Sequence, residues 1–90
     1  MSYDLHTTPT FDKAFKRLEA ATAREINEKL QWLAMHPELL RHPLRHMPPA
    51  LKGLQKYRVG DWRILFWVEH ARGVITLYTV EHRSHIYRDL

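Results

Sequence analysis

The dipeptide Gly60-Asp61 lies between two segments that have the alternating pattern of β-strands. A Gly-X pair in this setting favours a two-residue type II′ hairpin loop. A loop of that length fixes the register of the two flanking strands. The register places Arg58 directly across from Arg63, and the rest of the fold must fit around this hairpin.

Alternation along the strands divides the hairpin into an apolar face and a basic face. The apolar face is expected to pack on helices and consists of Tyr57, Val59, Trp62, Ile64, Phe66 and Val68. The basic face carries Lys56 beside the Arg58–Arg63 pair. Like charges directly across a strand pair destabilise it by roughly a few tenths of a kcal/mol, which a bound phosphate would offset. In the alternative interpretation, both guanidinium groups lie in water or pair with Glu69 or Glu81.

Two amphipathic helices are predicted before the hairpin. The first begins around Pro9, since proline is favoured in a first turn, and its apolar stripe is Phe11, Ala14, Phe15 and Leu18. The second is predicted to begin at a capping box at Thr22 and to end at about His36, before Pro37. Its apolar stripe is Ala23, Ile26, Leu30 and Leu33.

The remaining segments complete an α+β fold. Residues 2–8 are predicted to form a short first strand, and the proline-rich residues 37–49 a loop that crosses the surface. Three further strands are predicted at residues 53–59, 62–69 and 74–82. The expected architecture is a single domain, residues 1–90, in which an N-terminal strand and a two-helix hairpin pack on a small, twisted, mainly antiparallel sheet.

The connection after the third strand, near residues 70–73, decides which C-terminal side chains meet Arg63. A connection of odd length puts Arg83 on the face of Arg63 and leaves Val74, Tyr78 and Val80 for the core. An even length exposes His82 beside Arg63 instead. Both alternatives bring basic groups from the last strand to the basic face.

The composition narrows the class of protein and its location. The chain has no cysteine, so it offers neither disulfides nor a thiolate nucleophile, and a reducing cytoplasm is the expected compartment. The start lacks the features of a signal peptide, and the longest apolar run, residues 64–68, is too short to span a membrane. No metal site is predicted, because Pro43 interrupts the pair His42 and His46.

Charge points to an anionic partner. The net charge is +4. Between residues 41 and 63 one acid, Asp61, stands against six cations, which are Arg41, Arg45, Lys52, Lys56, Arg58 and Arg63. Such a block favours binding of nucleic acid or of an acidic protein, although a solvated face has the same composition.

The hairpin "YRVGDWRILF" and the ending "HRSHIY", at this separation and chain length, resemble the RelE superfamily of toxin–antitoxin toxins. The resemblance implies an mRNA interferase that enters the ribosomal A site, contacts ribosomal RNA and cleaves mRNA within codons, with no metal or cofactor. It also implies a cognate antitoxin that neutralises the toxin, and contact with operator DNA only through the antitoxin complex.

The same resemblance assigns site residues. Lys56, Arg63, Arg83 and Tyr87 match basic and aromatic positions of the family, and Tyr87 is the residue expected to stack on a base. The chain departs from the family at Leu54, where relatives carry a lysine that takes part in proton transfer.

Metal-free cleavage of RNA needs cations around the phosphate, a base for the 2′-hydroxyl and a proton for the leaving 5′-oxygen. Arg58, Arg63 and Arg83 are predicted to hold the phosphate. Lys56 with His85 or His82 is predicted to move the protons. Lys52 is a further candidate that would bind RNA or replace the lysine missing at position 54.

Two other functions remain open. One is a non-enzymatic toxin of the ParE type, which shares the fold and poisons gyrase. The other is a catalytically inactive relative that acts as a binding module, which the leucine at position 54 favours.

Overall fold

Two helices lie against one face of a four-stranded sheet in a computed structural model, which describes residues 2–85. The elements follow the order β1 (Asp4–Thr7), α1 (Pro9–Lys16), α2 (Ala20–Met35), β2 (Gln55–Val59), β3 (Trp62–Glu69) and β4 (Val74–His82). Short 3₁₀ turns at Pro37–Leu39 and Pro49–Leu51 interrupt the connection from α2 to β2. The α+β class is confirmed.

The sheet is mixed and mainly antiparallel, with strand order β1-β4-β3-β2. β1 runs parallel to β4, and the other two neighbouring pairs are antiparallel. The predicted hairpin register is confirmed, because Arg58 pairs with Arg63 and Val59 with Trp62. Gly60 has a φ of 60°, a conformation that glycine adopts without steric cost.

The first helix begins as the sequence predicts and is tied to the last strand at its first turn. Thr8 is the N-cap, and its hydroxyl oxygen accepts a bond of 3.2 Å from the main-chain N–H of Phe11. The same hydroxyl group lies 3.0 Å from the carbonyl oxygens of both Leu77 and Tyr78, to which it donates. One side chain therefore caps α1 and anchors the middle of β4.

The predicted start of the second helix is wrong. α2 begins at Ala20, and the residue before it, Glu19, makes no side-chain cap bond. Thr22 lies within the first turn, because Ala20 and Ala21 have high helix propensity and extend the helix ahead of the predicted capping box. The predicted stripe is otherwise confirmed, since its members Ile26, Leu30 and Leu33 are buried.

The main core lies between the helices and the sheet. Its buried side chains are Phe11, Ile26, Leu30, Leu33, Ala34, Leu40, Val59, Ile64, Phe66, Ile75, Leu77 and Val80. Tyr57, Trp62 and Val68 pack at its edges, so the apolar face predicted for the hairpin is turned to the helices.

The loop before β2 is fastened to that strand by Gln55, a buried polar residue. Its side-chain Nε2 donates to the carbonyl oxygen of Leu40 over 3.0 Å, and its Oε1 accepts from the main-chain N–H of His42 over 3.2 Å. Both ends of the amide are satisfied, which removes the penalty for burying it.

A second, smaller apolar cluster lies on the face of the sheet turned away from the helices, called here the outer face. Leu54 and Leu65 are buried there, with Trp67 and Tyr78 packed against them. The loop supplies a cover of Leu44, Met47 and Leu51. The indole N–H of Trp67 donates to the carbonyl oxygen of Lys52 over 3.1 Å and fastens the cover to the sheet.

A β-bulge in β4 sets which side chains reach the outer face. In the part of the β3–β4 ladder between the four-residue connection 70–73 and the bulge, the last pair is Phe66 with Leu77. Beyond Tyr78 the register shifts by one residue, so that Leu65 pairs with Thr79 and Arg63 with Glu81.

Neither register predicted for the last strand therefore holds over its whole length. Val80 is buried in the main core, as the odd-length alternative requires. Val74 is buried but is a correction, because it pairs with Glu69 in the other register and lies outside the main core. Tyr78 is a correction, because it is the extra residue of the bulge and packs in the outer cluster instead of the main core.

Within residues 2–85, no helix is both long and apolar enough to cross a membrane.

Candidate functional site

The end of the outer face next to the 60–61 turn is open and charged. Its side chains include Lys56 and Arg58 from β2, both exposed, and the half-buried Arg63 from β3. Arg63 Nη1 donates to the carbonyl oxygens of Gly60 and Trp62 over 3.2 and 3.1 Å. These bonds hold the guanidinium group over the turn, and its other N–H groups remain able to contact a ligand.

Arg83 joins the two arginines of the hairpin through the turn. Its main-chain N–H donates to the carbonyl oxygen of Asp61 over 2.7 Å, and its Nη1 lies 3.8 Å from Asp61 Oδ1. Both side chains of this ion pair are about two-thirds exposed, so the pair contributes at most about 1 kcal/mol. Arg58, Arg63 and Arg83 thus lie at the same end of the sheet, and Arg58 also lines a cleft with Glu25 and Glu28 of α2. Phosphate binding by the three arginines stays a prediction.

The two C-terminal histidines lie elsewhere. His82 pairs with Trp62, whose side chain faces the helices, and the two rings meet edge to face at 5.2 Å. His82 and His85 line a cleft of about 180 Å³ next to Arg17 of α1. Glu81 also lines this cleft, which therefore reaches the edge of β4, whereas Arg63 is not among its lining residues.

The hydrogen bonds of His82 fix its neutral tautomer. Its Nδ1 accepts from the main-chain N–H of Ser84 over 3.3 Å and lies 2.9 Å from the Ser84 hydroxyl. Since Nδ1 accepts, the neutral ring carries its proton on Nε2. Proton transfer by His82 or His85 to a phosphate at Arg63 stays a prediction, and it would require RNA that reaches around the edge of the sheet.

The structure explains why position 54 carries a leucine and not a lysine. The side chain of Leu54 is completely buried in the outer apolar cluster, where an ammonium group would lack a solvated path. Lys52 is exposed at the end of the second 3₁₀ turn. Tyr87 lies outside the described residues, and its stacking role stays a prediction.

Sequence reasoning considered Glu81 only as a partner for the arginines. The bulge places Glu81 directly across from Arg63 on the outer face. The hydroxyl of Thr79, a residue 4% exposed, donates to Glu81 Oε1 over 3.1 Å. An odd-length connection would also have turned Glu81 to this face, but the observed connection 70–73 has four residues, and with it a regular strand would turn Glu81 towards the helices. The bulge is what brings it to the outer face.

Within the described part of the chain, no three histidine, aspartate or glutamate side chains come close enough together to form a metal site. His42 and His46 lie in the loop outside any helix, and His46 has a φ of 60°.

Comparisons with known proteins identify the family and the fold of the chain. A family model described as the ParE toxin of type II toxin–antitoxin systems, parDE, matches residues 5–87. No curated protein sequence matches the chain significantly.

Solved structures of RelE toxins share the fold. The match to a RelBE toxin–antitoxin complex from Mycobacterium tuberculosis has a TM-score of 0.79 at 23% identity, covering 92% of this chain and 100% of that one. The isolated E. coli RelE toxin matches with a TM-score of 0.72 at 18% identity, covering 99% and 100%. An archaeal RelE–RelB complex from Pyrococcus horikoshii gives 0.72 at 23% identity, covering 92% and 97%. The family model spans nearly the whole chain, and the chain belongs to the ParE toxin family, within the RelE superfamily of type II toxin–antitoxin toxins.

Proposed function

We propose that this toxin cleaves mRNA on the ribosome without a metal ion and that a cognate antitoxin neutralises it. The observation that carries the proposal is the cross-strand pair Arg58–Arg63, with Arg83 held at the same turn through Asp61. Repulsion between three guanidinium groups falls when a phosphodiester binds among them, and the same groups stabilise the additional negative charge of a phosphorane. The open half of the outer face leaves room for such a strand.

The antitoxin is the second part of the proposal. The family consists of toxins of type II toxin–antitoxin systems, and the solved structures with this fold include complexes of RelE with RelB. With a net charge of +4, this chain attracts an acidic partner. Covering the open half would prevent its arginines from binding RNA, and contact with operator DNA would come through the antitoxin.

A non-enzymatic ParE-like activity on gyrase is the alternative, and the matching family model favours it. The two functions make different demands on the open half. An RNA-cleaving site needs a proton acceptor beside the phosphate-binding arginines, whereas a gyrase-binding surface needs no such group. The presence of Glu81 across from Arg63 therefore supports the enzymatic function.

One experiment separates these functions. The purified toxin is added to a translating cell extract, and mRNA 5′ ends are mapped for the native chain and for Tyr87→Ala, which removes the ring expected to stack on a base. We expect codon-phased cuts in ribosome-engaged mRNA with the native chain and few or none with the variant. A parallel assay with purified gyrase and supercoiled DNA scores cleaved gyrase–DNA complexes.

Cleaved gyrase–DNA complexes together with intact mRNA would establish the ParE-like function instead. Intact nucleic acid in both assays, with the antitoxin complex still forming, would identify a binding module without catalytic activity.

A further inference from the structure

Glu81 lies on the open half of the outer face. It is half-buried near the end of β4 and lies directly across from Arg63 of β3. A carboxylate at this point lowers the affinity of the surface for RNA phosphate, because it repels the phosphate that the arginines attract. A surface suited only to binding RNA would not place an acid there.

The side chain of Glu81 is held in one orientation. Thr79 lies two residues earlier on the same face, across from Leu65, and is 4% exposed. Its hydroxyl donates to Glu81 Oε1 over 3.1 Å, since a carboxylate oxygen can only accept. This bond orients the carboxylate and leaves its second oxygen without a part in the contact to Thr79.

None of the salt bridges among the described residues involves Glu81. Among residues 2–85, the hydrogen bonds of Arg63 go to main-chain carbonyl oxygens of the turn, and no ion pair joins its guanidinium group to Glu81. The acid that pairs with an arginine at this end of the sheet is Asp61, which contacts Arg83. Glu81 therefore combines proximity to the phosphate-binding arginines with an oxygen that can accept a proton.

From this geometry we propose that Glu81 is the general base of the cleavage reaction, with Thr79 as its positioning residue. The inference rests on the proposed function. The Glu81 carboxylate removes the proton of the 2′-hydroxyl, the 2′-oxygen forms a bond to the adjacent phosphorus, and the bond from phosphorus to the 5′-oxygen breaks. The departing 5′-oxygen takes a proton from water, and the other fragment ends in a 2′,3′-cyclic phosphate. Glu81 then returns its proton to water.

This assignment accounts for the leucine at position 54. With Glu81 of β4 as the base, no lysine amine is needed at position 54 to accept the proton of the 2′-hydroxyl. The side chain at position 54 is then free to serve the apolar cluster, in which Leu54 is completely buried. Leu65 of the same cluster lies directly across from Thr79, the residue that orients the base.

The test compares Glu81→Gln with Glu69→Gln in the translating extract. The amide of Glu81→Gln keeps the size of the side chain and an oxygen that accepts from Thr79, but it cannot take up a proton at neutral pH. We expect the single-turnover cleavage rate to fall at least about 100-fold, the usual contribution of a general base, while ribosome binding stays within about twofold. Glu69→Gln, at the far end of β3 and beside Arg72, should cleave like the native chain.

A second variant pair separates orientation from packing. Thr79→Val removes the hydroxyl with little change in volume and should slow cleavage about tenfold or more, whereas Thr79→Ser should restore most of the rate. Equal cleavage rates for Thr79→Val and Thr79→Ser would show that the Thr79 hydroxyl does not position Glu81.

The pH dependence provides a readout that a structural role would not change. The logarithm of the native rate should rise with slope 1 at acid pH, and this limb should vanish in Glu81→Gln. The charged side chain across from Glu81 on β3 is Arg63, and the cleft that Glu81 also lines contains Arg17 of α1 with His82 and His85.

Each outcome decides the assignment. Cleavage by Glu81→Gln within about threefold of the native rate, or a loss that ribosome binding fully explains, overturns the role of Glu81 and leaves the proposed function intact. Absence of cleavage by the native chain overturns both.

Discussion

The outer face of the sheet is apolar and covered at one end, and charged and open at the other. The covered half consists of Leu54, Leu65, Trp67 and Tyr78, and the open half of Lys56, Arg58, Arg63 and Glu81. β3 and β4 contribute to both halves, and Leu54 of the covered half directly precedes β2. Lys56 and Leu65 lie across from each other, so the boundary between the halves runs between them.

The comparison shows how a small toxin divides stability from function. Burial in the covered half stabilises the strands, while the open half holds like charges at a cost of a few tenths of a kcal/mol per facing pair. The two halves touch at Thr79, which faces Leu65 on one side and bonds Glu81 on the other. Substitutions in the two halves should consequently affect different measurements.

The largest effect is expected in the open half. Arg63→Ala should reduce mRNA cleavage about 1,000-fold or more. Arg63 pairs with residues of both β2 and β4, so the substitution removes the guanidinium group from the middle strand of the open half. The matched control is Arg72→Ala, an exposed arginine in the opposite turn whose contact is Glu69. Rates are measured by 5′-end mapping in the extract. A similar loss in the control would mean that total charge, and not the site, governs cleavage.

The second effect belongs to the covered half. Leu54→Ala should lower the free energy of unfolding by about 2–5 kcal/mol, since the side chain is completely buried and its removal leaves a cavity. Equilibrium unfolding in urea measures it. At temperatures where the variant is folded, the cleavage rate should stay near that of the native chain. A large loss of cleavage in fully folded Leu54→Ala protein would show that the halves are coupled.

A smaller effect is expected at the cover of the apolar cluster. Trp67→Phe keeps an aromatic ring against Tyr78 but loses the indole N–H that donates to the Lys52 carbonyl oxygen. The free energy of unfolding should fall by about 1 kcal/mol. Hydrogen exchange of main-chain amides in the loop before β2 should rise more than exchange in β3. Uniform changes in exchange would place the effect in the sheet instead of the cover.

The smallest effect has the opposite sign. Arg58→Gln removes one member of the cross-strand arginine pair and should raise the free energy of unfolding by roughly a few tenths of a kcal/mol in low salt. Because ions screen exposed charges, the gain should shrink in 1 M salt. Thermal melts at two salt concentrations measure it. A destabilised Arg58→Gln variant would indicate that the guanidinium group makes a favourable contact in the free toxin.

The features that sequence alone predicted are those fixed by local chemistry. Gly60 and Asp61 define a turn whose length sets the pairing of Arg58 with Arg63, and no distant residue can alter it. The apolar stripes of the helices follow in the same way from their spacing. In the candidate site, the arginines of the hairpin were placed correctly for this reason.

Long-range contacts decided the features that sequence did not reveal. The bulge at Tyr78 accompanies the bond from the Thr8 hydroxyl to the strand, and the two residues are 70 positions apart. That shift turns Glu81 to the outer face and His82 to the helices. The cover over Leu65 likewise depends on how a proline-rich loop settles on a sheet that forms only when the chain is folded.

The bulge also determines how the last strand tolerates changes in length. Tyr78 is the extra residue, so its deletion would restore a regular ladder in which Thr79 still faces Leu65 and Glu81 still faces Arg63. Such a deletion would lose the ring packing on Trp67 and keep the candidate site. Deleting Thr76 instead would turn Leu77 away from the core. In genetic terms, the codon for Tyr78 is the position in this strand where three nucleotides can be lost while every other side chain keeps its face.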